Sequence, residues 1–195
     1  MSASLDLRFR FFVSLAALLA LVAGVASAQI TMKGKPITLA GEVPAVGEPA
    51  PGFTALDNDF QPVSLGDFAG HPVLISVVPS LETSVCSMQT RHFNEELAKL
   101  PAEVVVITIS MDLPTAQKRF CGAEGITRMV VLSDSARREF GAAYGVLIPE
   151  RGVLTRSVFV VDAAGVLRYA QLVPEVSHEP DYAAALAALR GAAGY

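Results

Sequence analysis

Two cysteines, Cys86 and Cys121, are the residues of this chain best suited to chemistry. The apolar run Val73-Leu74-Ile75-Ser76-Val77-Val78 ends at Pro79, and Ser80-Leu81-Glu82-Thr83-Ser84-Val85 then leads to Cys86, where an amphipathic helix begins. Backbone N–H groups in the first turn of a helix lack intrahelical acceptors and carry partial positive charge, so they favour a thiolate over a thiol. Thr83 adds a hydroxyl three residues upstream. A strand, a short loop and a cysteine at a helix start together make a nucleophilic sulfur. Cys121 falls near the end of a second helical pattern opened by Asp112-Leu113-Pro114, with Asp112 read as N-cap and proline in the first turn. Gly122 or Gly125 can close that helix.

Other uses of these residues have weaker support. A structural disulfide between the two cysteines is the plain alternative, but a domain of this size buries enough core to fold without a staple. The cysteines and the three histidines, His71, His92 and His178, show no zinc-ligand spacing. Cys86-Ser87-Met88-Gln89 lacks the second cysteine that a Cys-x-x-Cys disulfide oxidoreductase needs. A non-enzymatic redox sensor or binding protein with a reversible disulfide stays open as the competing function. Arg91 lies a turn and a half beyond Cys86 on the same helix and reads as solvated or paired with an acid.

The elements that must position these residues alternate. Residues 30–39 read as a small N-terminal β-hairpin turning at Gly34, and residues 43–52 as a Pro/Gly-rich loop. Phe53–Leu56 is a short strand and Ser64–Phe68 a helical turn. Val73–Val78 is a central strand buried on both faces. A helix over 84–100, a strand over 104–109, the Cys121 helix, a strand over 129–132 and a helix over 135–144 follow. Ser157–Val161 and Val166–Ala170 flank Asp162-Ala163-Ala164-Gly165 as a hairpin, and Glu179-Pro180-Asp181-Tyr182 opens a last Ala/Leu-rich helix. This order predicts an α/β protein with a thioredoxin-like fold: a central mixed β-sheet flanked by helices, preceded by the N-terminal β-hairpin.

Arg8 and Arg10, the uncharged apolar stretch Phe11–Val25 and Ala26-Ser27-Ala28 before Gln29 read as a secretory signal peptide over residues 1–28. The stretch is short for a bilayer-spanning helix, so no stable membrane association is expected after cleavage. Residues 29–195 form one domain. Losing Arg8, Arg10 and Asp6 takes the formal charge from −4 to −5, which gives no reason to expect nucleic-acid binding. Export from a two-membrane bacterium would place the protein in the periplasm.

Pro79-Ser80-Leu81-Glu82-Thr83-Ser84-Val85-Cys86 resembles the active-site loop of bacterial thiol peroxidases, a subgroup of atypical two-cysteine peroxiredoxins. Ser110-Met111-Asp112-Leu113-Pro114 running on to Arg119-Phe120-Cys121-Gly122-Ala123-Glu124-Gly125, then Ala143-Tyr144-Gly145-Val146, then Glu179-Pro180-Asp181-Tyr182, are similar to the same subgroup. The chain departs from its pattern at Ser84, often Pro or Gly there, and at Thr115, where Phe is expected. The resemblance implies a peroxidatic Cys86, a resolving Cys121 and an intramolecular disulfide between them. Thr83 would hydrogen-bond the thiolate and the incoming peroxide, Arg156 would be the active-site arginine, and Pro79 would shape and shield the loop. It further implies hydrogen peroxide and alkyl hydroperoxides as substrates, thioredoxin or an exported thioredoxin-like protein as reductant, a homodimer, and no metal or organic cofactor.

Overall fold

The computed structural model describes residues 29–195; the signal-peptide reading of residues 1–28 lies outside them. The N-terminal hairpin pairs β1 (Thr31–Met32) with β2 (Lys35–Pro36). Lys33 and Gly34 both adopt positive φ, 53° and 72°, the geometry of the tight turn that suits the twist of a two-residue hairpin. The Glu175 carboxylate pins this turn by accepting from the Thr31 hydroxyl and from the N–H groups of Lys33 and Gly34, each at 2.9 Å.

The remaining strands are β3 (Thr54–Leu56), β4 (Pro62–Ser64), β5 (Val73–Val77), β6 (Val105–Ser110), β7 (Val130–Ser133), β8 (Leu147–Ile148), β9 (Val153–Leu154), β10 (Ser157–Val161) and β11 (Leu167–Leu172). Seven of them form one mixed sheet in the order β11-β10-β5-β6-β7-β3-β4. The β5-β6-β7 set is parallel, which requires crossovers: α1 (Ser84–Leu97) joins β5 to β6 and α2 (Pro114–Glu124) joins β6 to β7. The chain ends in α4 (Tyr182–Ala193), capped by the Asp181 side chain at the Ala184 N–H.

The central strand β5 is buried along its whole length. Leu74 and Val78 face one apolar layer with Phe93 and Leu97 of α1, Phe120 of α2 and Leu189 of α4. Ile75 and Val77 face the other layer with Phe53, Phe140, Tyr144 and Phe159. This is the alternation expected of a strand covered on both faces. Both cysteines lie in the first layer.

Three details differ from the sequence expectations. The helix expected over 135–144 is only α3 (Glu139–Ala143). The buried Asp134 carboxylate accepts from the N–H groups of Phe140 and Gly141, and Arg138 turns left-handed at φ 57°, so residues 134–138 form a loop that serves the helix start. The small strands β4, β8 and β9 had no signal long enough to show a period. Asp112 does not cap α2. Pro114 occupies the first helical position and holds Leu113 extended, at φ −64° and ψ 146°, so Leu113 takes the N-cap position. Gly125, at φ 66°, ends that helix. No described helix is long and apolar enough to cross a membrane.

Candidate active site

The site forms where four strand ends meet. Parallel β5 and β6 deliver their carboxyl ends to one edge of the sheet, the usual place for function in such sheets. Strand β10 runs antiparallel to β5 with Ser157 opposite Val77, so Arg156, one residue before β10, arrives beside the chain leaving β5. Strand β11 pairs Leu172 with Ser157, so the segment 173–176 leaves at the same edge. Residues far apart in sequence are thus brought together by sheet register.

Cys86 is the third residue of α1 and is fully buried, its sulfur at the floor of a cavity of about 670 Å³ that Pro79, Thr83 and Arg156 also line. The Arg156 side chain is 2 % exposed and spends its donors in three directions. Nε–H donates to the Val176 carbonyl at 2.8 Å, Nη1–H to the Gln89 carbonyl oxygen at 2.6 Å, and Nη2–H to the Cys86 sulfur at 3.3 Å. Gln89, one turn beyond Cys86, is held in turn by the Ser76 hydroxyl of β5 at 2.8 Å. Among the described residues no carboxylate lies within ion-pair distance of Arg156. A buried cation without a counter-ion is costly, and sulfur is the group in this cluster that can become an anion.

Thr83 occupies the N-cap position of α1, and its carbonyl accepts the Ser87 N–H at 2.9 Å. Its hydroxyl donates to the Ser80 carbonyl at 3.1 Å and makes no side-chain cap. The bond from Thr83 to the Cys86 sulfur implied by the resemblance is therefore not formed here, because the hydroxyl proton is engaged by Ser80. The first-turn N–H groups keep no side-chain acceptor and stay available to an anion at the cavity floor.

Asp112, displaced from its expected capping role, ties the loop before Cys86 to the end of β6. One oxygen accepts from the Ser80 hydroxyl at 2.8 Å; the other accepts from the Leu81 N–H at 2.7 Å and the Ser110 hydroxyl at 2.8 Å. Replacing Asp112 with Ala strands these three donors. The expected loss of stability is about 1–3 kcal/mol, read by urea titration. A several-fold fall in the rate of Cys86 oxidation should accompany it, because the loop that sets the helix start is no longer anchored.

Cys121 lies in the second half of α2 and accepts from the Asn58 amide at 3.7 Å. Burial pushes its thiol up from the ordinary value, against the smaller opposing effect of the Asn58 bond. Both cysteines are free thiols in this structure. Two ion pairs join the segments that carry them: Arg119 of α2 with Glu82 of the loop, and Glu124 of α2 with Arg91 of α1 at 2.9 Å. Arg91 is thus paired with an acid. His71 Nδ1–H donates to the Glu103 carbonyl, and the His92 ring lies against that of Tyr182, both away from the cavity lining. Among the described residues no cluster of His, Cys, Asp and Glu could hold a metal ion.

Gln89, Ser76, Asp112 as a tether and the Val176 carbonyl were missed from the sequence. The first two had a signal, being polar residues inside apolar patterns, and the carbonyl had none.

A thioredoxin-like sheet with a buried cysteine in the first turn of the helix after its central strand, faced by a buried arginine, defines a class. Residues 45–186 match the redoxin family model. The chain belongs to the redoxin family, among the thiol peroxidases. It is 51 % identical over 164 residues to "Thiol peroxidase" of Listeria monocytogenes serotype 4b (strain F2365), covering 84 % of this chain and 99 % of that one. "Thiol peroxidase" of Bacillus subtilis (strain 168) is 51 % identical over 155 residues, covering 80 % and 92 %. Among solved structures, a peroxiredoxin-like protein from Aquifex aeolicus superposes with a TM-score of 0.79 at 39 % identity, covering 85 % of this chain and 97 % of that one.

Proposed function

We propose that the protein is a thiol-dependent peroxidase that reduces hydrogen peroxide and alkyl hydroperoxides at Cys86. The observation that carries this reading is the buried Arg156 guanidinium, which has no carboxylate partner among the described residues and points an N–H at the Cys86 sulfur. The relatives named thiol peroxidases support it.

The Cys86 thiolate attacks one peroxide oxygen. An S–O bond forms, the O–O bond breaks, and sulfur loses two electrons to become a sulfenic acid. The other oxygen departs as hydroxide or alkoxide and takes a proton to leave as water or alcohol. Arg156 and the first-turn N–H groups stabilise the charge that develops there; fixed donors of this kind are commonly worth about 3–4 kcal/mol each. Thr83 serves the same cavity once its hydroxyl turns from Ser80 toward the bound peroxide, and Pro79 shields the loop. The Cys121 sulfur then attacks the sulfenic sulfur, forming the Cys86–Cys121 disulfide and releasing water. A dithiol reductant of the thioredoxin class restores both thiols by exchange. The leader read in residues 1–28 makes the exporting cell's periplasm the site of action and an exported thioredoxin-like protein the donor. The homodimer rests on the resemblance alone.

The test is rapid mixing of reduced protein spanning residues 29–195 with hydrogen peroxide, followed by thiol titration and intact mass. Fast, stoichiometric loss of both thiols with loss of two hydrogens, abolished in Cys86→Ser, is the expected result. Thiol loss no faster than that of an unactivated cysteine would overturn the reading.

A further inference from the structure

The cavity over Cys86 has a charge balance opposite to that of the chain. The protein carries 19 acidic and 15 basic residues. The cavity lining contains Lys33, Arg151 and Arg156 and no Asp or Glu. Arg156 is committed to Cys86, Gln89 and Val176 at the buried floor. Lys33 and Arg151 are exposed. Among the described residues neither takes part in an ion pair, whereas Arg91, Lys99, Lys118, Arg119, Arg137 and Arg168 each do.

Both cations sit on constrained turns. Lys33 is in the β1–β2 turn, whose N–H groups are held by Glu175. Arg151 is in the turn between β8 and β9, where its N–H donates to the Ile148 carbonyl at 3.1 Å. Glu175 is the acid tied most directly to this rim. Its two oxygens accept twice from Ser177 and from Gly34, Lys33 and Thr31, which holds its carboxyl well below the usual range; the carboxylate stays charged, but its oxygens are taken up by these donors and it is not part of the cavity lining. The rest of the lining is mostly apolar, with Met32, Pro79, Val85, Val153 and Val176 joined by four serine and threonine side chains. A cavity of about 670 Å³ is within the range of small-molecule sites.

A thiol at the floor, a mostly apolar wall and two unpaired cations at the mouth fit an amphipathic anion. We propose that Lys33 and Arg151 select organic hydroperoxides that carry a carboxylate at the end remote from the O–OH group. This rests on the reading of Cys86 as the peroxidatic thiol. A cleft of one sign attracts ligands of the other and raises their on-rates by about tenfold or more, while a neutral peroxide receives no such help.

The probe is cumene hydroperoxide bearing a para-carboxylate, compared with the methyl ester of the same compound and with hydrogen peroxide. Second-order rates of Cys86 oxidation are measured by stopped flow on the reduced protein. The carboxylate is expected to react about tenfold faster than the ester at low salt, with the advantage shrinking as ionic strength rises. In Lys33→Met/Arg151→Met the carboxylate-to-ester ratio should fall to about one, and in Lys33→Glu/Arg151→Glu below one. Equal rates for acid and ester in the unaltered protein, or a ratio that survives both double variants, would overturn the selection. Slow reaction of all three peroxides would overturn the peroxidase reading itself, and the selection with it.

Discussion

Arg156→Met should lower the rate of Cys86 oxidation by hydrogen peroxide about 10²–10³-fold, the loss expected when a fixed donor to a developing oxyanion is removed. Methionine fills much of the space of the arginine stem but supplies none of its three N–H bonds to Val176, Gln89 and Cys86. Arg156→Lys should recover little. An ammonium keeps the charge but cannot hold three acceptors in the planar arrangement of a guanidinium, and here those acceptors come from α1, at Cys86 and Gln89, and from the segment after β11, at Val176. Stopped-flow oxidation of the reduced protein gives the rate, and alkylation of Cys86 by iodoacetamide separates two effects. If the arginine acts on the sulfur anion, alkylation falls with the peroxide rate. If it acts only on the departing oxygen, alkylation is unchanged while peroxide reduction slows. The contact of Nη2 with the sulfur predicts that both fall. A fall below threefold in both rates would remove Arg156 from the chemistry.

How far the sequence disclosed this arrangement depended on the range of the interactions involved. Cys86 was legible because its signal is local: a buried strand, a loop and a helix start fall within a dozen residues and imply partial positive charge near the sulfur. Arg156 was not legible from local pattern and came by resemblance. Its place is set by the antiparallel register of β10 against β5, which no spacing along the chain reveals. Gln89 and Ser76 could have been found, since a glutamine on the buried stripe of α1 and a serine inside an apolar strand each need a partner when buried. Asp112 was misread for a specific reason. Acid followed by proline resembles a helix start, but the proline fixes the residue between them as the cap and frees the carboxylate to reach Ser80 and Leu81. The mixed sheet, the crossover helices and the N-terminal hairpin follow from periodicity and turn residues. The two-residue strands β8 and β9, which place Arg151 at the cavity rim, are too short for either signal.

Cys121→Ser should leave the first encounter with peroxide intact and abolish turnover. Serine cannot attack the sulfenic acid, so one equivalent of peroxide is consumed at the parental rate, the protein gains one oxygen, and excess peroxide drives Cys86 on to the sulfinic acid. Intact mass distinguishes these products from the loss of two hydrogens expected of the parent. The parent's second step should also carry its own pH dependence. The attacking species is the thiolate, and burial raises the Cys121 thiol, so at neutral pH the group is mostly protonated. Its reactive fraction grows with pH up to and beyond the ordinary thiol value, by up to about tenfold per unit below it. Disulfide formation should therefore accelerate from pH 7 toward pH 9. A flat profile would mean that departure of the sulfurs from their donors sets the pace. Cys86 sulfur is held by Arg156 and Cys121 sulfur by Asn58, so a sulfur that moves toward the other must stretch or break its own bond. Asn58→Ala discriminates between these regimes. It should speed a step limited by departure, and change a step limited by ionisation only through the small downward push that Asn58 exerts on the Cys121 thiol.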